Sequence, residues 1–114
     1  MTVTEALEKL KSYEQTSFAL SHAMGLLYYD GVTAAPKGAA AVRSDTTGEL
    51  SRIDYQLTTA PDTVEMLETL MAARTELDAV TRRKVEEYWR SYDRTRRIPE
   101  EELSLIHISG AHET

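Results

Sequence analysis

Apolar residues return at three- and four-residue steps along most of this chain, and that spacing restricts it to helices with one apolar side each. From Val3 to Tyr29 the series runs Val3, Leu7, Leu10, Tyr13, Leu20, Met24 and Leu27, with one polar interruption at Ser17. A stripe of this kind must be buried against another element, so the pattern asks for helices packed on helices. The run from Thr2 to Glu5 supplies a start signal, because threonine and glutamate three residues apart can each satisfy the other's free backbone N–H. From Asp30 to Gly38 two glycines and a proline fall together, and there the first helix is expected to end and the chain to turn.

The same reading predicts a second helix from Ala39 to Thr58, with Val42, Thr46, Leu50, Ile53 and Leu57 on one face. Gly48 weakens it by about 1 kcal/mol relative to alanine. The segment from Thr59 to Asp62 reads as a stop and a new start, since proline is tolerated in a first turn and an acid is favourable there against the helix dipole. A third helix follows, with Val64, Leu67, Leu70, Met71 and Arg74 or Leu77 as its face. Asp78 offers the cap for a fourth along Val80, Val85, Tyr88, Trp89 and Tyr92. Pro99 ends that run by disfavouring helical geometry at Ile98, and Glu100, Glu101 and Glu102 stand where a fifth helix would begin. The expected fold class is all-α, with antiparallel hairpins forming a bundle of about four helices.

From Leu103 onward the period changes from 3.6 towards two, and the chain closes on a glycine and polar residues through Thr114. This stretch resembles the translation of an adapter used in shotgun sequencing libraries, which commonly reads LSLIHISEPTR, and the likeness holds through Ser109. Residues 103–114 are therefore expected to be a non-native tail and residues 1–102 the native helical part.

Charge and composition exclude several function classes. With 13 Lys plus Arg against 19 Asp plus Glu the net charge is −6, which repels nucleic acid and anionic membranes. No cysteine is present, so disulfides, thiolate metal sites and a cysteine nucleophile are all excluded. The first residues are charged and amphipathic, unlike a secretory signal, and the longest apolar stretch, Ala23 to Tyr29, is far shorter than the roughly 20 residues that span a bilayer. A soluble, cytoplasmic chain is the expectation.

Candidate chemistry is sparse. Of three histidines, His107 and His112 belong to the suspect tail, and His22 has Phe18 and Leu26 at four-residue spacing, so no paired-ligand helix forms around it. Asp30 and Thr33 lie in the glycine- and proline-rich turn, where an aspartate more often caps backbone amides than catalyses. Arg82, Arg83 and Lys84 precede Glu86 and Glu87, and Arg94, Arg96 and Arg97 precede Glu100 to Glu102; both runs read as solvated, mutually screened helix surface. Tyr88, Trp89 and Tyr92, with Tyr13, Tyr28 and Tyr29, read as core and interface filling. No phosphate loop, nucleophile elbow or paired-carboxylate motif occurs, so no catalytic, cofactor-binding or metal-binding residue is assigned.

The segment from Tyr29 to Arg43 nevertheless resembles the early signature of the thermostable carboxypeptidase family of HExxH metallopeptidases, written WDxxTxMPxxGxxxR, with Asp30, Thr33, Pro36 and Arg43 in register. Gly48 to Ser51, Thr58, the run Val80 to Arg83 and the run Tyr92 to Pro99 resemble later parts of the same region, so that the likeness covers roughly residues 5–102. Tyr29 stands where the family has tryptophan, Gly31 where it commonly has glutamine, Ala35 where it has methionine and Tyr55 where many members have histidine. The resemblance implies the N-terminal helical region of a cytoplasmic, homodimeric enzyme that releases C-terminal amino acids from peptides with zinc or a similar divalent ion. In that family two histidines of HExxH and a later glutamate hold the metal, and none of them lies in this sequence; His112-Glu113 imitates the motif's start one residue before the chain stops. The implied role is therefore a wall of the substrate cleft, inactive alone and prone to self-association. The alternative is an autonomous helical interaction or dimerisation module. A small helical enzyme acting through Arg43 and Arg52 is a third reading, with nothing in the spacing that singles those residues out.

Overall fold

The structure is a computed structural model that describes residues 1–33 and 40–98, with residues 32 and 33 described in their backbone only. Four α-helices make up most of it: α1 (Val3–Thr33), α2 (Ala40–Thr59), α3 (Pro61–Ala72) and α4 (Ala79–Thr95), with a 3-10 turn (Arg74–Glu76) between the last two. The all-α bundle expected from the spacing is thus the observed fold. The expected fifth helix at Glu100 to Glu102 and the tail at 103–114 lie outside the described residues.

The helix starts form where the capping residues stand. Thr2 N donates to Glu5 Oε1 at 2.9 Å and Glu5 N to Thr2 Oγ1 at 3.1 Å, the reciprocal pair that opens α1. The α3 helix begins on Pro61, whose missing N–H is no loss in a first turn. Thr81 N donates to Asp78 Oδ1 at 2.6 Å to open α4. At its other end α1 departs from expectation: it runs on through Asp30 and Gly31 to Thr33. Glycine permits a turn without compelling one, and its cost in a helix, about 1 kcal/mol, is small against the bonds gained by continuing.

The core lies at one end of the bundle. Ala6, Leu10 and Tyr13 of α1 close on Met66, Leu67 and Leu70 of α3, with Leu77 and with Val85 of α4, while Val3, Leu7, Leu57, Met71, Tyr88, Trp89 and Tyr92 pack around them. Each fully buried leucine, valine or methionine here is worth roughly 1.5–3 kcal/mol of transfer free energy. The α1 face follows the predicted stripe, with the addition of Ala6. In α3 the buried set is Thr63, Met66, Leu67 and Leu70, so the face is rotated slightly from the one the spacing suggested. In α4 Val80 is exposed and Val85 carries the contact.

The α2 face needs correcting. Val42, Thr46 and Ile53 are exposed, and the side chains turned inward are Ser51 and Thr58, with Leu57 against the core. Ser51 Oγ lies 4.0 Å from Met24 Sδ of α1, a close approach that a small side chain permits and a leucine would prevent. Because α2 has α1 beside it, the side that faces α1 is determined by which residues let the two backbones draw near.

Ion pairs tie the elements together at the surface. Lys9 of α1 meets Asp62 of α3 at 2.7 Å, Glu14 of α1 meets Lys84 of α4 at 3.3 Å, and the N-terminal amine meets Glu65 at 2.8 Å. Exposed pairs of this kind contribute little, typically 0–1 kcal/mol each, and mainly fix register.

Candidate functional site

His22 sits on α1, exposed, with the exposed Phe18 and Leu26 one turn to either side. Among the described residues no three side chains of histidine, cysteine, aspartate or glutamate converge so as to hold a metal ion. A divalent ion therefore does not fit the donors described here, and no chemical step can be routed through one on these residues. His107 and His112 lie outside the described residues, as does Pro36.

Asp30 lies in the last turn of α1 instead of in a loop, and its side chain is exposed. The cap role expected of it presupposed a turn beginning at Asp30, whereas the helix continues through Thr33. Arg43, in the first turns of α2, comes back over the end of α1: a Cβ placed on Gly31 would stand 2.9 Å from Arg43 Nε and 3.4 Å from its Cζ. The bare backbone at Gly31 is what lets the guanidinium lie there. Arg43 Nη1 is buried and has no hydrogen-bond acceptor. The structure thus brings Arg43 of the quoted signature close to Gly31, one of its unspecified positions, without placing Asp30 in an ion pair with that arginine.

The basic runs are largely the solvated surface their composition suggested, since Arg83, Lys84, Arg94, Arg96 and Arg97 are exposed, and Arg82 is the exception. Arg82 reaches backward: its Nε donates to the Arg74 carbonyl at 3.1 Å and its Nη2 to the Leu77 carbonyl at 3.2 Å, which closes the 3-10 turn between α3 and α4. Lys84 pairs with Glu14 across the bundle instead of with Glu86 or Glu87. Arg96 and Arg97 both meet Asp93, and the Arg96 guanidinium also stands 5.5 Å from the Tyr92 ring centre. Arginines engaged in this way are structural, and nothing in the spacing distinguished Arg82 from its neighbours because its acceptors are backbone carbonyls eight and five residues away.

The aromatic residues divide. Tyr13 and Tyr88 meet edge to face with ring centres 5.2 Å apart, and Trp89 lies 5.5 Å from Tyr92, so these four fill space around the core as expected. Burial, followed by the charge of Glu14, pushes the Tyr88 phenol up to about 12, and burial also raises that of Tyr13. Tyr28 and Tyr29 do not join the core: they are 56% and 66% exposed near the end of α1.

With this geometry in view, comparison with known proteins is informative. The model of the family described as carboxypeptidase Taq (M32) metallopeptidase matches residues 9–111, a range that continues past Glu102 into the tail. The chain is 28% identical over 101 residues to the protein of Bacillus subtilis (strain 168) named Carboxypeptidase 1, an overlap of 82% of this chain and 20% of that protein. It therefore spans about a fifth of the length of the curated relative it matches. No solved structure matches it significantly.

Proposed function

Since the chain belongs to the carboxypeptidase Taq (M32) metallopeptidase family, we propose that it is the N-terminal helical portion of a metallocarboxypeptidase, supplying wall to a peptide cleft whose metal-binding residues lie elsewhere in the enzyme. The observation that carries this reading is the extent of the match, which takes in most of the chain and only a fifth of the relative. On this reading the whole enzyme is a cytoplasmic, homodimeric, zinc- or similarly metal-dependent hydrolase of peptide C-termini, and residues 1–102 have no peptidase activity by themselves.

A second reading, an autonomous helical dimerisation module, draws on the exposed apolar side chains of α1. Sequencing the source locus across the junction of Glu102 and Leu103 separates the two. A reading frame that continues from Glu102 into a helix bearing HExxH supports the first. A frame that ends close to Glu102 with no such helix would overturn it.

A further inference from the structure

The α1 helix is 31 residues long, about 46 Å at 1.5 Å per residue, yet among its described side chains the buried ones are all in its first half: Ala6, Leu10 and Tyr13. From Glu14 to Gly31 no residue is buried. Along that stretch Ser17, Leu20, Met24 and Leu27 are partly covered on the side that meets α2. The opposite side carries Phe18, His22, Leu26 and Tyr29, at steps of four, four and three, which is one helical stripe. Phe18 is 66% exposed, Leu26 56% and Tyr29 66%. Large apolar side chains aligned in this way on the outside of a helix mark a surface that another protein segment covers.

We propose that this outward stripe of α1 is the seat of the remaining body of the metallocarboxypeptidase, an intramolecular interface and not a binding site for an outside partner. The occupant follows from length: the relative has four-fifths of its chain with no counterpart here, and a portion of that size must pack on this fifth somewhere. The face already used by the core is closed by α3 and α4, and the inward side of the outer half of α1 is taken by α2. The stripe carries no Asp, Glu, Lys or Arg, so it suits an apolar surface. The inference rests on the family reading given above.

The test is a graft in which the matched residues of this chain replace their counterpart in the Bacillus subtilis Carboxypeptidase 1, made with the stripe intact and with Phe18→Gln and Leu26→Gln together, two changes that keep helix propensity. The same double variant is made in the free 114-residue chain and its thermal melt followed by circular dichroism. The expected result is an intact graft that is monodisperse and releases C-terminal amino acids, a substituted graft that loses most of its folded, active fraction, and a free chain whose melt is unchanged. A substituted graft as stable and active as the intact one overturns the interface and leaves the family reading standing. An intact graft that fails to assemble overturns both. A stoichiometric dimer of the free chain that the two substitutions dissolve makes a second copy the occupant and overturns the proposal.

Discussion

Arg43 holds the one buried side-chain nitrogen without an acceptor among the described residues, and its guanidinium end lies over the bare backbone of Gly31. A buried donor left unpaired costs roughly 1–3 kcal/mol, whereas an apolar group of the same shape costs nothing of the kind. Arg43→Met, which keeps the stem, is therefore expected to leave the melting temperature of the chain unchanged or higher; a drop of several degrees would show that the guanidinium holds the hairpin together. Tyr88 carries a second residue-level consequence. Its phenol ionises at about 12 in the folded chain against an ordinary value near 10. Because the folded value is the higher, the unfolded chain loses its proton first, so stability is intact below pH 10 and declines as pH rises from there towards 12. Absorbance titration of the tyrosines should show a last group ionising in that interval, together with loss of helix. Neither Arg43 nor Tyr88 was distinguished by sequence alone: the signature placed Arg43 in register without saying what it touches, and Tyr88 was recognised only as an aromatic filler.

Helix starts were legible because a cap is a local device. Thr2 with Glu5, Pro61, and Asp78 with Thr81 each act within three residues, and each opens a helix where the pattern put it. Helix faces were less so. The α2 stripe of Val42, Thr46 and Ile53 satisfies the helical period but has no described neighbour to cover it, while Ser51 and Thr58, polar and small, are the residues pressed inward. Periodicity reports that a helix has sides; which side is buried depends on what lies beside it. The end of α1 was misread for a related reason, since Gly31 permits both a turn and a continued helix. One prediction belongs here. Amide hydrogens in residues 17–31 of α1, supported on one side only, are expected to exchange faster than those in residues 7–13, which lie against the buried core. Equal protection along the whole of α1 would contradict the description of its outer half as uncovered.

At the scale of the whole molecule, the buried apolar residues among those described form a single cluster at one end, where α1, α3 and α4 meet. Leu70 is fully buried there, so Leu70→Ala should cost about 2–5 kcal/mol, a large part of what a domain this small can hold in reserve, and should be seen as loss of the cooperative melt. Leu26→Ala, outside the cluster, should change that melt little. The all-α bundle was readable from spacing, and the family from a handful of positions between Tyr29 and Arg43; the site of chemistry was not readable because the HExxH motif that the resemblance implies does not occur in this sequence. The central claim is that this chain is scaffold for a metal site built elsewhere in the enzyme. Its most direct test is to incubate the purified 114-residue chain with a peptide in the presence of zinc or cobalt and then with chelator, and to measure free C-terminal amino acid. The account predicts the same background release in both conditions; release that requires the metal and is abolished by the chelator would contradict it.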